Sequence, residues 1–177
     1  MRTPRFIRLL LGIGLLAGGV AVGAPAEPAI SVRLPQAAYN LRLAGGNVVA
    51  NHIQLNWTPT EMRGRAFGTV AVLALKQDQV AGNIGGVPVN LKARTEGGAL
   101  IGEGGFMGGP VELRFSPREL HVYLNGCTYQ LKYVGDRYEG PRSCDSRLAP
   151  PVTVGVPEDF QNLTPAEQMI LLLLSLG

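Results

Sequence analysis

Between Gln77 and Arg142 the chain alternates apolar and polar positions in short runs, each closed by a turn. Val87, Val89, Leu91 and Ala93 alternate with Pro88, Asn90, Lys92 and Arg94, and Val111, Leu113 and Phe115 with Glu112 and Arg114. Leu120, Val122 and Leu124 alternate in the same way with His121 and Tyr123. A period of two is what a strand with one buried face requires, because successive side chains point to opposite sides of a sheet. Gly85-Gly86, Asn125-Gly126 and Gly135-Asp136 punctuate the runs, and such two-residue connections favour antiparallel hairpins. The run therefore predicts an antiparallel meander.

Upstream, residues 27–36 have prolines at their edges and read as an extended lead-in, with Tyr39 to Leu43 as a first strand. Val49, Ile53, Leu55 and Trp57 share one face of the next segment, broken only by Asn51. Met62 to Leu75 is long for one strand, and Gly64 and Gly68 predict a bend or bulge within it. The whole reads as about ten short strands, all-β, curled into a barrel or a two-layer sandwich. Gly85-Gly86-Val87-Pro88 and Gly108-Gly109-Pro110-Val111 form a weak hairpin-sized repeat, from duplication or from the similar needs of similar hairpins.

The carboxyl-terminal part changes character. Pro150, Pro151 and Pro157 make residues 145–157 read as an ordered tether. Thr164-Pro165-Ala166-Glu167 is a capping box with proline at the first helical position, so a helix is predicted from Pro165 to Leu176. Met169, Leu172, Leu173 and Leu176 form one stripe, and Ile170, Leu171 and Leu174 make it apolar nearly all round. Twelve residues cannot span a bilayer. Burial against the sheet is the expected use of this surface. As alternatives, Met169, Leu172, Leu173 and Leu176 would offer a surface to a ligand, a partner's groove or a membrane.

The two cysteines permit a sharper expectation. With Gly135 and Asp136 as turn residues, Tyr133 faces Tyr138 and Cys127 faces Cys144 across one hairpin. Directly opposed, non-hydrogen-bonded positions are close enough for a disulfide. Pro141 falls at a position that should donate to the ladder, so pairing is expected to loosen there. A metal site lacks partners, since His52 and His121 are remote and no zinc-like spacing exists.

The amino terminus sets the compartment. Arg2, Arg5 and Arg8 precede an apolar stretch, Leu9 to Ala24, and a small-residue junction at Ala24-Pro25-Ala26. These are the parts of a signal peptide, with an uncleaved anchor as the alternative. The expected organisation is a signal over 1–26, an antiparallel β domain over 27–149, and a Pro-rich tether with the apolar helix over 150–177. The three arginines account for the whole excess of 16 basic over 13 acidic residues. The remainder is electrically balanced and has no general attraction to phosphate backbones, so nucleic-acid binding is not expected.

Catalytic and cofactor motifs are not found. No G-x-S-x-G occurs, and His52 and His121 both fall on polar strand faces. Residues 102–108 are glycine-rich but lack the Lys-Ser/Thr and helix of a phosphate loop. No metal or other cofactor is expected. The reading is an exported, non-enzymatic envelope protein, periplasmic or extracellular, that binds an apolar small molecule or an envelope partner. The alternative is an inhibitor or interaction module acting on another exported protein through a turn or an edge strand.

Overall fold

The structure, a computed structural model, describes residues 27–34, 37–145 and 147–177. The expected signal segment lies outside the described residues. The fold is all-β and antiparallel, as the alternation predicts, but with fourteen strands rather than about ten, closed into a single barrel. They are β1 (Ala29–Leu34), β2 (Ala37–Ala44), β3 (Asn47–Ala50), β4 (Ile53–Thr58), β5 (Glu61–Ala66), β6 (Thr69–Leu75) and β7 (Gln79–Ile84). The second half comprises β8 (Val87–Glu96), β9 (Ala99–Phe106), β10 (Gly109–Phe115), β11 (Glu119–Leu124), β12 (Cys127–Val134), β13 (Arg137–Cys144) and β14 (Arg147–Gly155). Each strand pairs with its sequence neighbours, and β1 pairs with β14 to close the ring.

The additional strands come from three corrections. The lead-in is β1, which pairs with β2 on one side and β14 on the other. The segments read as single strands over 49–57 and 62–75 are each a hairpin, turning at Asn51-His52 and at Phe67-Gly68. The tether is β14. Its prolines are tolerated because Pro150 and Pro151 lie where the register against β13 shifts, between the pairs Gly140–Val152 and Arg142–Ala149. A proline at a bulge withholds no ladder hydrogen bond. Closure leaves no edge strand among the described residues.

Local chemistry explains the tight turns. Gly85 and Gly86 have φ of 60° and 81°, and Asn125 and Gly126 of 50° and 74°. Two successive left-handed residues form the hairpin turn whose twist matches that of the strands. A second set of glycines lets the wall coil. At Gly64, Gly82, Gly104 and Gly140 an added Cβ would collide with a carbonyl oxygen of the neighbouring strand, so only glycine permits the approach. The bend expected at Gly64 is one of these, whereas Gly68 belongs to a turn.

The helix α1 (Pro165–Leu176) follows a short 3-10 turn (Glu158–Asn162) and lies within the barrel rather than on it. Ala166 and every residue from Met169 to Leu176 are buried. Its nearest strands are β1 on one side and β7 to β9 on the other, which stand opposite one another in the ring. Eight-stranded barrels fill with their own side chains and sixteen-stranded ones hold a channel. Fourteen strands leave room for an apolar rod about 10–12 Å across. Met169, Leu172, Leu173 and Leu176 are therefore spent on the lumen, and the surface they would offer a partner or a membrane is not exposed.

Outward positions such as Arg42, Gln54, Arg63, Lys92, Glu103 and Glu112 are exposed and polar, while their neighbours Leu41, Leu55, Met62, Leu91 and Leu113 are buried. This polarity is the reverse of a barrel whose outer face meets lipid.

Candidate functional site

The two ends of the barrel differ, and the helix is fastened at both. At the end where α1 begins, Thr164 and Glu167 form the expected capping box, Trp57 Nε1 donates to Glu167 Oε1 at 3.1 Å, and the Ala166 amide donates to the Gln77 carbonyl. Aromatic rings close this end. Phe115 packs edge-on against Phe160 at 5.6 Å and in a tilted arrangement against Tyr138 at 5.5 Å, and the Tyr138 hydroxyl donates to the Ser116 carbonyl.

At the opposite end the helix stops short of the rim. Its final carbonyls lack intrahelical donors, and in an apolar lumen each would be costly if unpaired. The barrel wall supplies the donors: Tyr39 Oη to the Ser175 carbonyl and Tyr129 Oη to the Leu176 carbonyl at 3.2 Å. The Gly177 amide donates to Leu173. Burial pushes the Tyr39 phenol above its ordinary pKa range, Tyr129 adds to the shift and Arg142 opposes it. Burial also raises Tyr129, again against Arg142. Both phenols therefore stay protonated and donate at neutral pH.

Between the helix terminus and the rim is a recess of about 470 Å3. Leu34, Ile53, Phe67, Leu124, Leu174 and Leu176 give it apolar walls, with Asn51, His52 and Asn125 at the turns. Phe67 holds a left-handed conformation (φ 52°) as the first residue of the two-residue turn that it forms with Gly68, as Met107 does with Gly108. Its ring packs edge-on against Phe106 at 6.4 Å. The volume lies within the range of small-molecule sites, which are mostly apolar with a few placed polar groups.

The disulfide and one cation line the same recess. Cys127 and Cys144 are bonded and face each other directly, with Cα atoms 4.0 Å apart. Tyr133 faces Tyr138 with ring centroids 5.2 Å apart. Pairing lapses around Pro141, between Tyr129–Arg142 and Lys132–Glu139, as its missing N–H requires. The same register sets Arg142 opposite Tyr129, on the inward face. Its guanidinium carbon lies 5.3 Å from the Tyr129 ring centroid, a cation–π arrangement. Nη2 donates to Cys127 Sγ at 3.4 Å, and Nε is buried with no acceptor.

Arg142, Tyr39, Tyr129 and Phe67 were not singled out from the sequence. The signal for Arg142 was present: the hairpin register that opposes the cysteines puts a cation on an apolar face. The other candidates do not converge. His52 stands on the rim in an exposed turn and His121 on the outer wall. Residues 102–108 belong to β9 and the turn after it. Among the described residues no group of three or more His, Cys, Asp or Glu side chains could hold a metal ion.

Compared with models of protein families, with curated proteins and with solved structures, the chain matches none.

Proposed function

We propose that this is an exported, non-enzymatic binding protein that holds a small apolar ligand in the recess at the disulfide end of the barrel. The observation that carries the reading is the recess itself, about 470 Å3 of apolar-walled space beyond the helix terminus. A helix plugging the lumen argues against a ligand carried along the barrel axis, and it also builds the floor of this site. The walls come from strands tied by the disulfide and by the Tyr39 and Tyr129 hydrogen bonds, so the site is preformed and binding costs little ordering. Export is supported by the signal-like residues 1–26 and is consistent with the disulfide.

The test is mass spectrometry of an organic extract of the purified protein, alongside titration with the neutral fluorescent probe phenylnaphthylamine. Ala50 lines the recess, and Ala50→Trp fills it. The expected result is a bound apolar species or probe in the unaltered protein, displaced in Ala50→Trp. A clean extract together with no probe binding would sink the reading.

A further inference from the structure

Resting on that reading of the recess, we infer that its ligand is a single-chain amphiphile bearing one carboxylate, and that Arg142 holds the acid. Arg142 is half-buried with its Nε withdrawn from water, and a cation partly removed from water gains from a counter-charge. Among the described residues ion pairs engage Arg63, Arg94, Arg114 and Arg137, all on exposed side chains, and none engages Arg142. All thirteen Asp and Glu residues of the chain lie among the described residues, so no Asp or Glu side chain reaches it; Gly177 lines the same recess but forms no ion pair with it either. Among the described residues the one acceptor that it meets is a disulfide sulfur, a weak acceptor, and Nε has none.

The chemistry narrows the ligand further. A planar guanidinium suits a carboxylate, which it can grip through two parallel hydrogen bonds. Among the described residues Arg142 is the one arginine or lysine lining the recess, which suits a monoanion rather than a doubly charged phosphate. The walls beyond it, Leu34, Ile53, Phe67 and Leu124, offer only apolar surface, which suits an alkyl chain. The negative end of α1 faces the same space. A competing assignment is therefore that Arg142 serves only as the helix terminus's counter-charge, although it donates to none of the helix carbonyls.

Displacement of phenylnaphthylamine from the full-length protein at neutral pH by decanoate and by decanol separates these cases. The two competitors share a chain and differ in charge. Decanoate is expected to bind about tenfold or more tighter than decanol, as hydrogen bonds to an ionised group imply. Arg142→Met keeps an unbranched apolar side chain, and is expected to bring the two competitors to equal affinity while still binding the probe. Equal affinity in the unaltered protein would overturn the inference and leave the apolar site standing, with Arg142 as a counter-charge. Retention of the acid preference in Arg142→Met would overturn the assignment to Arg142. Should Arg142→Met fail to fold, the acid-to-alcohol ratio in the unaltered protein still decides. Absence of probe binding in the unaltered protein would overturn both the site and its ligand.

Discussion

The helix inside the barrel can be tested by exchanging atoms across their contact. A Cβ added at Gly102 on β9 would lie 2.5 Å from Met169 Sδ and 3.2 Å from its Cγ. Gly102 is not among the left-handed glycines, so its backbone accepts a larger residue and the obstacle is the methionine. Gly102→Val adds three heavy atoms where Met169→Ala removes three. Alone, the valine overpacks the lumen and should cost about 1–3 kcal/mol. Alone, the alanine leaves a void beside a fully buried residue and should cost about 2–5 kcal/mol. Together the valine occupies the methionine's space, and the double variant should recover about 1–3 kcal/mol relative to the sum. Urea unfolding followed by circular dichroism measures all four corners of the cycle. Additivity within about 0.5 kcal/mol would refute the placement of α1 against β9.

Three further outcomes follow from the wall. Removing the disulfide by Cys127→Ser with Cys144→Ser opens a connection 17 residues apart in sequence and should cost about 3 kcal/mol on the chain-entropy account; an unchanged urea midpoint would show that the bridge contributes nothing. Gly104→Ala drives a Cβ into the Asn90 carbonyl from a backbone at φ 140°, so it should destabilise by at least about 1–3 kcal/mol. The adjacent Gly105→Ala, whose nearest obstacle is 3.9 Å away, should be nearly neutral, and equal effects would contradict the coiling role. The inward tyrosines predict an alkaline limit. Burial, with a smaller contribution from Tyr133, pushes Tyr138 up to about 12, and burial raises Tyr39 and Tyr129 as well. Above pH 10 the unfolded chain releases these protons while the folded one keeps them, so stability intact below pH 10 is lost as pH rises towards 12. The tyrosinate absorbance of these three residues should rise with unfolding rather than before it, and early ionisation of all five tyrosines would contradict the burial.

Much of the site's framework could be read locally. The register of the cysteine hairpin followed from two turn residues, because a hairpin's pairing is set by its own turn. That register carried the disulfide, the Tyr133–Tyr138 pair and the slack at Pro141, and it implied Arg142 beside Tyr129. The recess was not legible, because its walls come from Leu34, Ile53, Phe67, Leu124 and Leu176, which meet only when distant strands close the ring.

The sequence by itself determined the alternating strands, the left-handed turns, the capped helix and the paired cysteines, since each rests on neighbours within a few residues. Tertiary structure decided three things. Residues 29–34 and 147–155, which read as a lead-in and a proline-rich tether, become the strands that close the barrel. Their mutual hydrogen bonds, and a bulge that accommodates the prolines, outweigh weak local propensity. The helix goes inside because a fourteen-strand ring has a lumen to fill. Its apolar circumference was the sign, but which surface would cover it depended on how many strands the ring contains. Arg142 sits beside the Tyr129 ring without an ion-pair partner because that closed ring brings no Asp or Glu side chain to it.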